Sequence, residues 1–381
     1  MLKENLFHLP KFPHKHEYTW STAAVEKASH PLLSRLNLDV GTISKDAFSD
    51  NNIAVKEPSD KDIVISKILA DASKSYFKEN IANGEWKWIN ENRRANYLAA
   101  LKSADVNKLA NIYSNLFRED ASYGIVSSTY SDFCDPVRQI KVINGILWDL
   151  DTWLDYTNVP PEEYLNMPNV GMPYGVYFGE YLVSPDICRH DCHALIICNI
   201  LEDLDSSADT VLEIGGGYGG AAYQFFKRNP AGKYQWIIVD LFETLCMQYY
   251  FLTSCGIKVS FSFDGNCEQG ISQVVLVPAD VAEKINRTVD IVYNCHSLSE
   301  MDRSTIERYF DLINSQWKPR YLFHINSDVL LFPDSPRHIE ILCSQFPIGN
   351  AYRKIYRAIS PWSGGCGRNR EYLYVRRLKA T

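Results

Sequence analysis

Five glycines fall within six residues in Val211-Leu-Glu-Ile-Gly-Gly-Gly-Tyr-Gly-Gly220. The run follows an apolar, strand-like stretch and opens a helical one. Glycine at such a turn permits positive φ and lets a ligand lie against the backbone. The helix that follows presents N–H groups without intrahelical partners. A second signal is Trp236-Ile-Ile-Val-Asp240, an apolar strand ending on a carboxylate. A carboxylate at the end of the next strand can take both hydroxyls of a ribose. Together the two segments predict a site for a nucleoside-bearing ligand at the ends of two neighbouring parallel strands.

Two cofactors fit the glycines. Gly215, Gly217 and Gly220 have the GxGxxG spacing of a dinucleotide loop. Glu213, Gly215, Gly217 and Gly219 have the acidic-x-Gly-x-Gly-x-Gly spacing of an S-adenosylmethionine loop. Glu213 favours the second. A carboxylate there suits a cationic ligand with an ammonium and a sulfonium, and sits poorly beside a pyrophosphate. A dehydrogenase of this class would also carry a Tyr-x-x-x-Lys beyond the fourth strand. The one such spacing, Tyr223 to Lys227, lies in the wrong helix.

With these residues in view, the chain resembles the class I S-adenosylmethionine-dependent methyltransferases. Within them it resembles the sugar O-methyltransferases of the nanchangmycin type. The likeness rests on VLEIGGGYGG, on Val239-Asp240, on Tyr293-Asn-Cys-His-Ser-Leu-Ser-Glu-Met301, on Arg189-His190 and on Ser360-Pro-Trp362. It spans roughly residues 170–380. It implies a Rossmann-like α/β sheet of seven strands, parallel with a C-terminal antiparallel hairpin. It further implies S-adenosyl-L-methionine as cofactor and a sugar or glycosylated hydroxyl as acceptor. By the same resemblance Ala279 and Asp280, after the third strand, frame the adenine, with Leu241 beside Asp240. Helix capping is an equal reading for Asp280.

Methyl transfer to a hydroxyl needs a positioned acceptor and a base for its proton. His296 is the best-placed candidate, because it follows the fourth strand at the end where ligands bind in a parallel sheet. Its ordinary pKa lies near working pH. Glu300, four residues on, would orient it if the turn is helical. Asn294 is expected to meet the cofactor through its backbone. In Cys188-Arg-His-Asp-Cys-His193, Arg189 suits the cofactor carboxylate as a fixed fork, and His190 then faces the acceptor. A zinc site there lacks a matching ligand pair elsewhere. Trp362 and Tyr177 are candidate platforms for a sugar ring, with core packing the competing reading. Asp149 and Asp151 read as a solvated helix face rather than a metal site, so no metal is expected. The rival functions are an NAD(P)-dependent sugar-modifying oxidoreductase and a non-catalytic partner subunit of methyltransferase fold.

The elements that position these groups follow from patterning. Short apolar runs at 210–214, 235–239, 273–277, 289–293 and 320–325 alternate with helical segments near 219–228, 242–254, 279–286, 302–315 and 335–345. That alternation means βαβ units. Runs at 352–359 and 371–378 predict the closing hairpin. Upstream, helical spacing from about 60 to 155 predicts an all-helical segment, followed by a Pro-rich connection and a helix from Asp191 to Leu204. The expected organisation is a polar arm (1–60), a helical domain (61–165) that covers the crevice, and the methyltransferase domain (166–381).

Composition fits this reading. The 381 residues are 46% hydrophobic and 22% charged, ordinary for a globular chain. Lys and Arg number 39 against 46 Asp and Glu, a net charge of −7 that argues against nucleic acid as the partner. Ten cysteines without a CxxC pair, no signal-like apolar run and no membrane span predict a cytoplasmic protein with free thiols. The expected partners are a small molecule or glycan acceptor, with homodimerisation left open.

Overall fold

A computed structural model describes residues 55–78, 82–178, 180–204, 208–230, 232–268, 270, 272–329, 341–362 and 368–377. The expected arm therefore lies almost wholly outside the described residues, as does most of the helix expected near 335–345. There the described part is a single 3₁₀ turn, Cys343–Gln345.

The apolar runs form the strands β3 (Thr210–Ile214), β4 (Gln235–Asp240), β6 (Val274–Pro278), β7 (Ile291–Cys295) and β8 (Tyr321–Ser327). The hairpin at the other end of the chain supplies β9 (Tyr352–Ile359) and β10 (Asn369–Arg376). Every residue of β3, β6 and β8 is buried, as expected for strands covered on both faces. Among the described residues the sheet has eight strands, not the seven expected, in the order β5-β6-β4-β3-β7-β8-β10-β9. The additional strand, β5 (Val259–Phe261), is a half-buried three-residue edge piece that carries no readable alternation. All pairs from β5 to β8 are parallel, and β10 pairs antiparallel with both β8 and β9. This is an open, doubly wound α/β sheet with its switch point between β3 and β7, where strand order reverses.

Nine helices of the described chain matter for the site and its support. The N-terminal group contains α1 (Asp60–Tyr76), α2 (Gly84–Asn92), α3 (Ala95–Ser103), α4 (Val106–Ser114), α5 (Tyr130–Cys134) and α6 (Pro136–Tyr156). Of these, α1 begins at Ser59 with a reciprocal capping box to Asp62. After a small antiparallel pair, β1 (Val176–Phe178) and β2 (Tyr181–Val183), comes α7 (Ile187–Asp203). It starts four residues before the expected Asp191, so the whole Cys188–His193 cluster is helical. The helix after the glycine loop is α8 (Gly220–Arg228), and α9 (Phe242–Ser254) follows β4.

The helical group does not stand apart from the sheet. One apolar cluster joins Ile65 and Leu69 of α1 and Leu101 of α3 to Val211, Trp236 and Ile238 of the sheet. Polar bonds tie the same surfaces: Tyr250 Oη donates to Asp62 Oδ1 at 2.7 Å, and Tyr97 Oη to the Glu243 carbonyl at 2.7 Å. Trp362 lies in this core, 2% exposed, with its ring against Tyr156 and His193.

Candidate active site

A cavity of about 660 Å³ opens at the strand C-termini, across the switch point. Such a volume suits a drug-sized ligand. Its floor is Glu213 and Gly215–Gly217 after β3, Val239–Leu241 after β4, Ala279 after β6, and Cys295–Ser297 after β7. Arg189 and His190 of α7 form one side. The N-terminal helices close the other: Trp86 and Ile89 of α2 and the segment 123–129 face the same space.

The glycines answer two demands. Gly215 (φ +72°), Gly217 (φ +57°) and Gly219 (φ +91°) take the left-handed conformation that side chains disfavour. Two of the run also accommodate close approaches within the protein. A Cβ on Gly215 would lie 2.2 Å from Ser297 Oγ, and one on Gly220 would lie 2.1 Å from His190 Nδ1. So the loop's form is set as much by the residues it packs against as by any ligand.

Glu213 and Asp240 end neighbouring strands and face the one cavity. Glu213 is 3% exposed and accepts a hydrogen bond from Trp236 Nε1 at 2.8 Å. Burial, with Asp240 nearby, pushes its carboxyl up to about 8. Asp240 accepts from Gly216 N at 3.0 Å, Leu241 N at 2.8 Å and Gln248 Nε2 at 2.8 Å. Burial still pushes it up to about 7 against those three donors. Both carboxylates are thus held where a cation or a set of hydroxyls would restore their charged form.

The imidazoles are neutral. His296 takes φ +69° at the start of the 3₁₀ turn Ser297–Glu300, its N–H held by the Ile325 carbonyl at 2.7 Å. A histidine in that backbone region is strained and is kept there by its surroundings. Burial, then Arg189, pushes His296 down to about 3. Arg189 Nη1 lies 3.4 Å from His296 Nε2, and Arg189 Nη2 pairs with Asp186 Oδ1 at 2.6 Å. His190 Nδ1 meets Tyr218 Oη at 3.1 Å and is likewise pushed to about 3 by burial and Arg189. Asp186 also accepts from Ser127 N at 2.7 Å, which anchors the closing segment. Nothing local in the sequence singled Asp186 out.

Glu300 lies on the cavity wall and accepts a hydrogen bond from Trp86 Nε1 at 2.9 Å. The turn is 3₁₀, with three residues per turn, so positions four apart do not align as in an α-helix. Behind Trp86 lies Arg94, wholly buried, with its guanidinium 4.7 Å from the indole ring and bonded to Thr244 and the Tyr123 carbonyl. Burial pulls it down to about 10 even against Glu243.

Four expected ligand contacts are placed elsewhere. Asp280 accepts from Tyr76 Oη at 2.5 Å and Lys78 Nζ at 2.7 Å, bonds that outweigh burial and hold it below the ordinary carboxylate range. It is therefore engaged by the end of α1 and the residues after it. Asn294 is fully buried, donating to the Ile214 carbonyl and Ser297 Oγ and accepting from Asn326; it braces the β3–β7 turn rather than facing the cavity. Trp362 is a core residue, and Tyr177 sits half-buried in the β1–β2 pair away from the cavity wall. Asp149 is not a solvated helix-face residue: its carboxyl is buried and pushed up to about 7, with Oδ1 lacking a hydrogen-bond partner. No cluster of three metal-ligating side chains occurs among the described residues. In the Cys188–His193 cluster, Asp191 is taken by Arg228 (2.8 and 2.5 Å) and Trp153 Nε1 (2.6 Å).

The end of the cavity toward β8 and β10 was not legible in sequence. Ser128, Thr129, Asp132, Ser299, Ser327 and Asn369 line it, with Arg368 at the rim. They come from four separate stretches, and of them only Ser299 belongs to a motif named above.

No family model matches the chain, and no curated protein matches it. Several solved structures are similar over about half of it. The ribosomal protein L11 methylase of Lactobacillus delbrueckii subsp. bulgaricus is 11% identical, with 50% of this chain and 80% of that chain covered and a TM-score of 0.33. An O-methyltransferase family protein from Burkholderia thailandensis is 14% identical, with 51% and 61% covered and a TM-score of 0.33. TrmN from Thermus thermophilus is 12% identical, with 48% and 49% covered and a TM-score of 0.32. This chain thus spans less than two thirds of the latter two, and likeness at these scores carries nothing about its chemistry. No helix among the described residues is long and apolar enough to cross a membrane.

Proposed function

We propose that the protein is an S-adenosylmethionine-dependent O-methyltransferase acting on a hydroxyl of a carbohydrate acceptor. The observation that carries the reading is the pair Glu213 and Asp240. Two buried carboxylates on adjacent strand ends face one cavity beside a glycine turn, both raised by burial. An ammonium near Glu213 and ribose hydroxyls on Asp240 would stabilise their charged forms, so the residues present fit that cofactor. When bound, it supplies an electrophilic methyl on a sulfonium.

The remaining roles fall to the chain. Arg189 holds the carboxylate of the methionine moiety; a guanidinium so engaged competes less for His296 Nε2. His296 takes the acceptor's proton at that nitrogen; burial and Arg189 weaken it as a base in the free protein, and a cofactor carboxylate on Arg189 would relieve part of that weakening. The hydroxyl- and amide-lined end supports a polyol acceptor, since each sugar hydroxyl needs a donor or acceptor when desolvated. Trp86, Ile89 and the 123–129 segment exclude water from the reacting atoms.

Calorimetric titration of the purified protein with S-adenosylmethionine, S-adenosylhomocysteine, NAD and NADP tests the reading. Micromolar binding of the two adenosyl ligands alone is expected. Binding of NAD or NADP instead would replace it with the oxidoreductase.

A further inference from the structure

The chain as a whole is acidic, but its C-terminal hairpin is not. Residues 341–377 contain seven Lys and Arg and a single acid, Glu371. Glu371 is 2% exposed and pushed up by burial to about 7, so it offsets little of that charge.

A register shift arranges these cations. β9 pairs with β10 as Arg357↔Tyr372, Tyr356↔Leu373 and then Lys354↔Tyr374, with the irregularity between Leu373 and Tyr374. Without it, Lys354 and Arg357 would point to opposite faces, because side chains alternate along a strand. With it, both stand on the face of Tyr372 and Tyr374. Lys354 Nζ lies 4.9 Å and Arg357 Cζ 5.8 Å from the Tyr372 ring centre. Bulges re-aim side chains in this way. Arg370 and Arg376 share that face by alternation along β10. Arg357 has Asp328 at 3.6 Å and keeps about half of its side chain exposed. At the cavity end of β10, two residues before Arg370, Arg368 stands on the cavity rim.

We propose that this face of the β9–β10 hairpin binds an anionic glycan, a polyol chain carrying repeated negative groups, whose end enters the cavity past Arg368. The proposal rests on the carbohydrate acceptor inferred above and specifies its class. β9 runs eight residues, about 26 Å at ~3.3 Å per residue, enough for several sugar units. Single-stranded nucleic acid is disfavoured, because its binding surfaces offer aromatic faces for stacking. The aromatic rings of this face, Tyr372 and Tyr374, are buried.

The test titrates the full chain with an oligogalacturonate, a neutral malto-oligosaccharide of equal length and an oligothymidylate, by calorimetry at 50 and 200 mM salt. The oligogalacturonate is expected to bind, to lose about tenfold in affinity across that salt range, and to outcompete the other two. The double variant Lys354→Glu, Arg357→Glu is expected to weaken it at least tenfold while S-adenosylmethionine affinity stays unchanged. Lys354→Gln with Arg357→Gln serves if the reversal does not fold. Unaltered affinity in the variant, or no binding with the cofactor still bound, overturns the proposal; the cations then only guard a free strand edge against pairing. Preference for the oligothymidylate overturns it in favour of nucleic acid. Loss of cofactor binding in the unaltered protein would instead sink the function proposed above.

Discussion

Cofactor binding should release protons. In the free protein Glu213 titrates at about 8 and Asp240 at about 7, both pushed up by burial. At pH 6.5 a carboxyl with a pKa near 8 is about 97% protonated, and one near 7 about 75%. An ammonium beside Glu213 requires the carboxylate, so binding must expel close to one proton, with a further fraction from Asp240. Affinity should then tighten by nearly tenfold per pH unit between pH 6 and 7 from Glu213 alone. That window lies below the titration of a free α-amino group at about 7.7–8.0. Calorimetry at pH 6.5 in buffers of differing ionisation enthalpy counts the protons directly. Glu213→Gln should abolish most of the release and weaken binding. The same shift has a stability signature of opposite sign. A carboxyl raised in the fold costs stability as pH climbs from the unfolded value near 4.3 to about 8, so the free protein should lose several kcal/mol over that range and Glu213→Gln should flatten the loss. Tight binding with fewer than about 0.2 protons released would refute the reasoning.

His296→Ala should lower turnover about 100- to 10,000-fold with cofactor affinity preserved, and a loss under about threefold would remove it as base. Because His296 is pushed to about 3 in the free protein, the fall in kcat/KM for cofactor below pH 7 should follow Glu213 and Asp240 and should shift in Glu213→Gln; a limb that the variant leaves unmoved would contradict this. Gly220→Ala places a Cβ 2.1 Å from His190 Nδ1 and should cost about 1–3 kcal/mol in urea unfolding. Arg228→Met leaves the buried Asp191 with only Trp153 as side-chain donor and should cost about 3–5 kcal/mol by the same measurement.

The sheet was legible because its strands are buried apolar runs cut by helical spacing, and α9 falls on the expected 242–254. β7 begins two residues later than expected for a visible reason. Asp290 turns its side chain to the Asp209 and Thr210 N–H groups, so the chain there anchors β3 before it pairs. The cavity position was legible from glycine and strand-end carboxylates, which are local signals. What each residue touches was not. Asp280 is bonded to residues about 200 positions earlier, and Gly220 is matched to His190 thirty positions upstream. The acceptor end is assembled from scattered Ser, Thr and Asn, residue types that look like ordinary loop polarity until the fold gathers them.

The core shared by α1 and the sheet also sets a clock for synthesis. Asp62 waits for Tyr250, 188 positions later, and Tyr97 for Glu243, 146 positions later. At ~5–20 residues per second, the first of these delays is about 10–40 s. During it, Ile65 and Leu69 have α3 and α4 to pack against but no sheet to complete their cover. The packing of α1 is therefore completed only when β4 and α9 have been made.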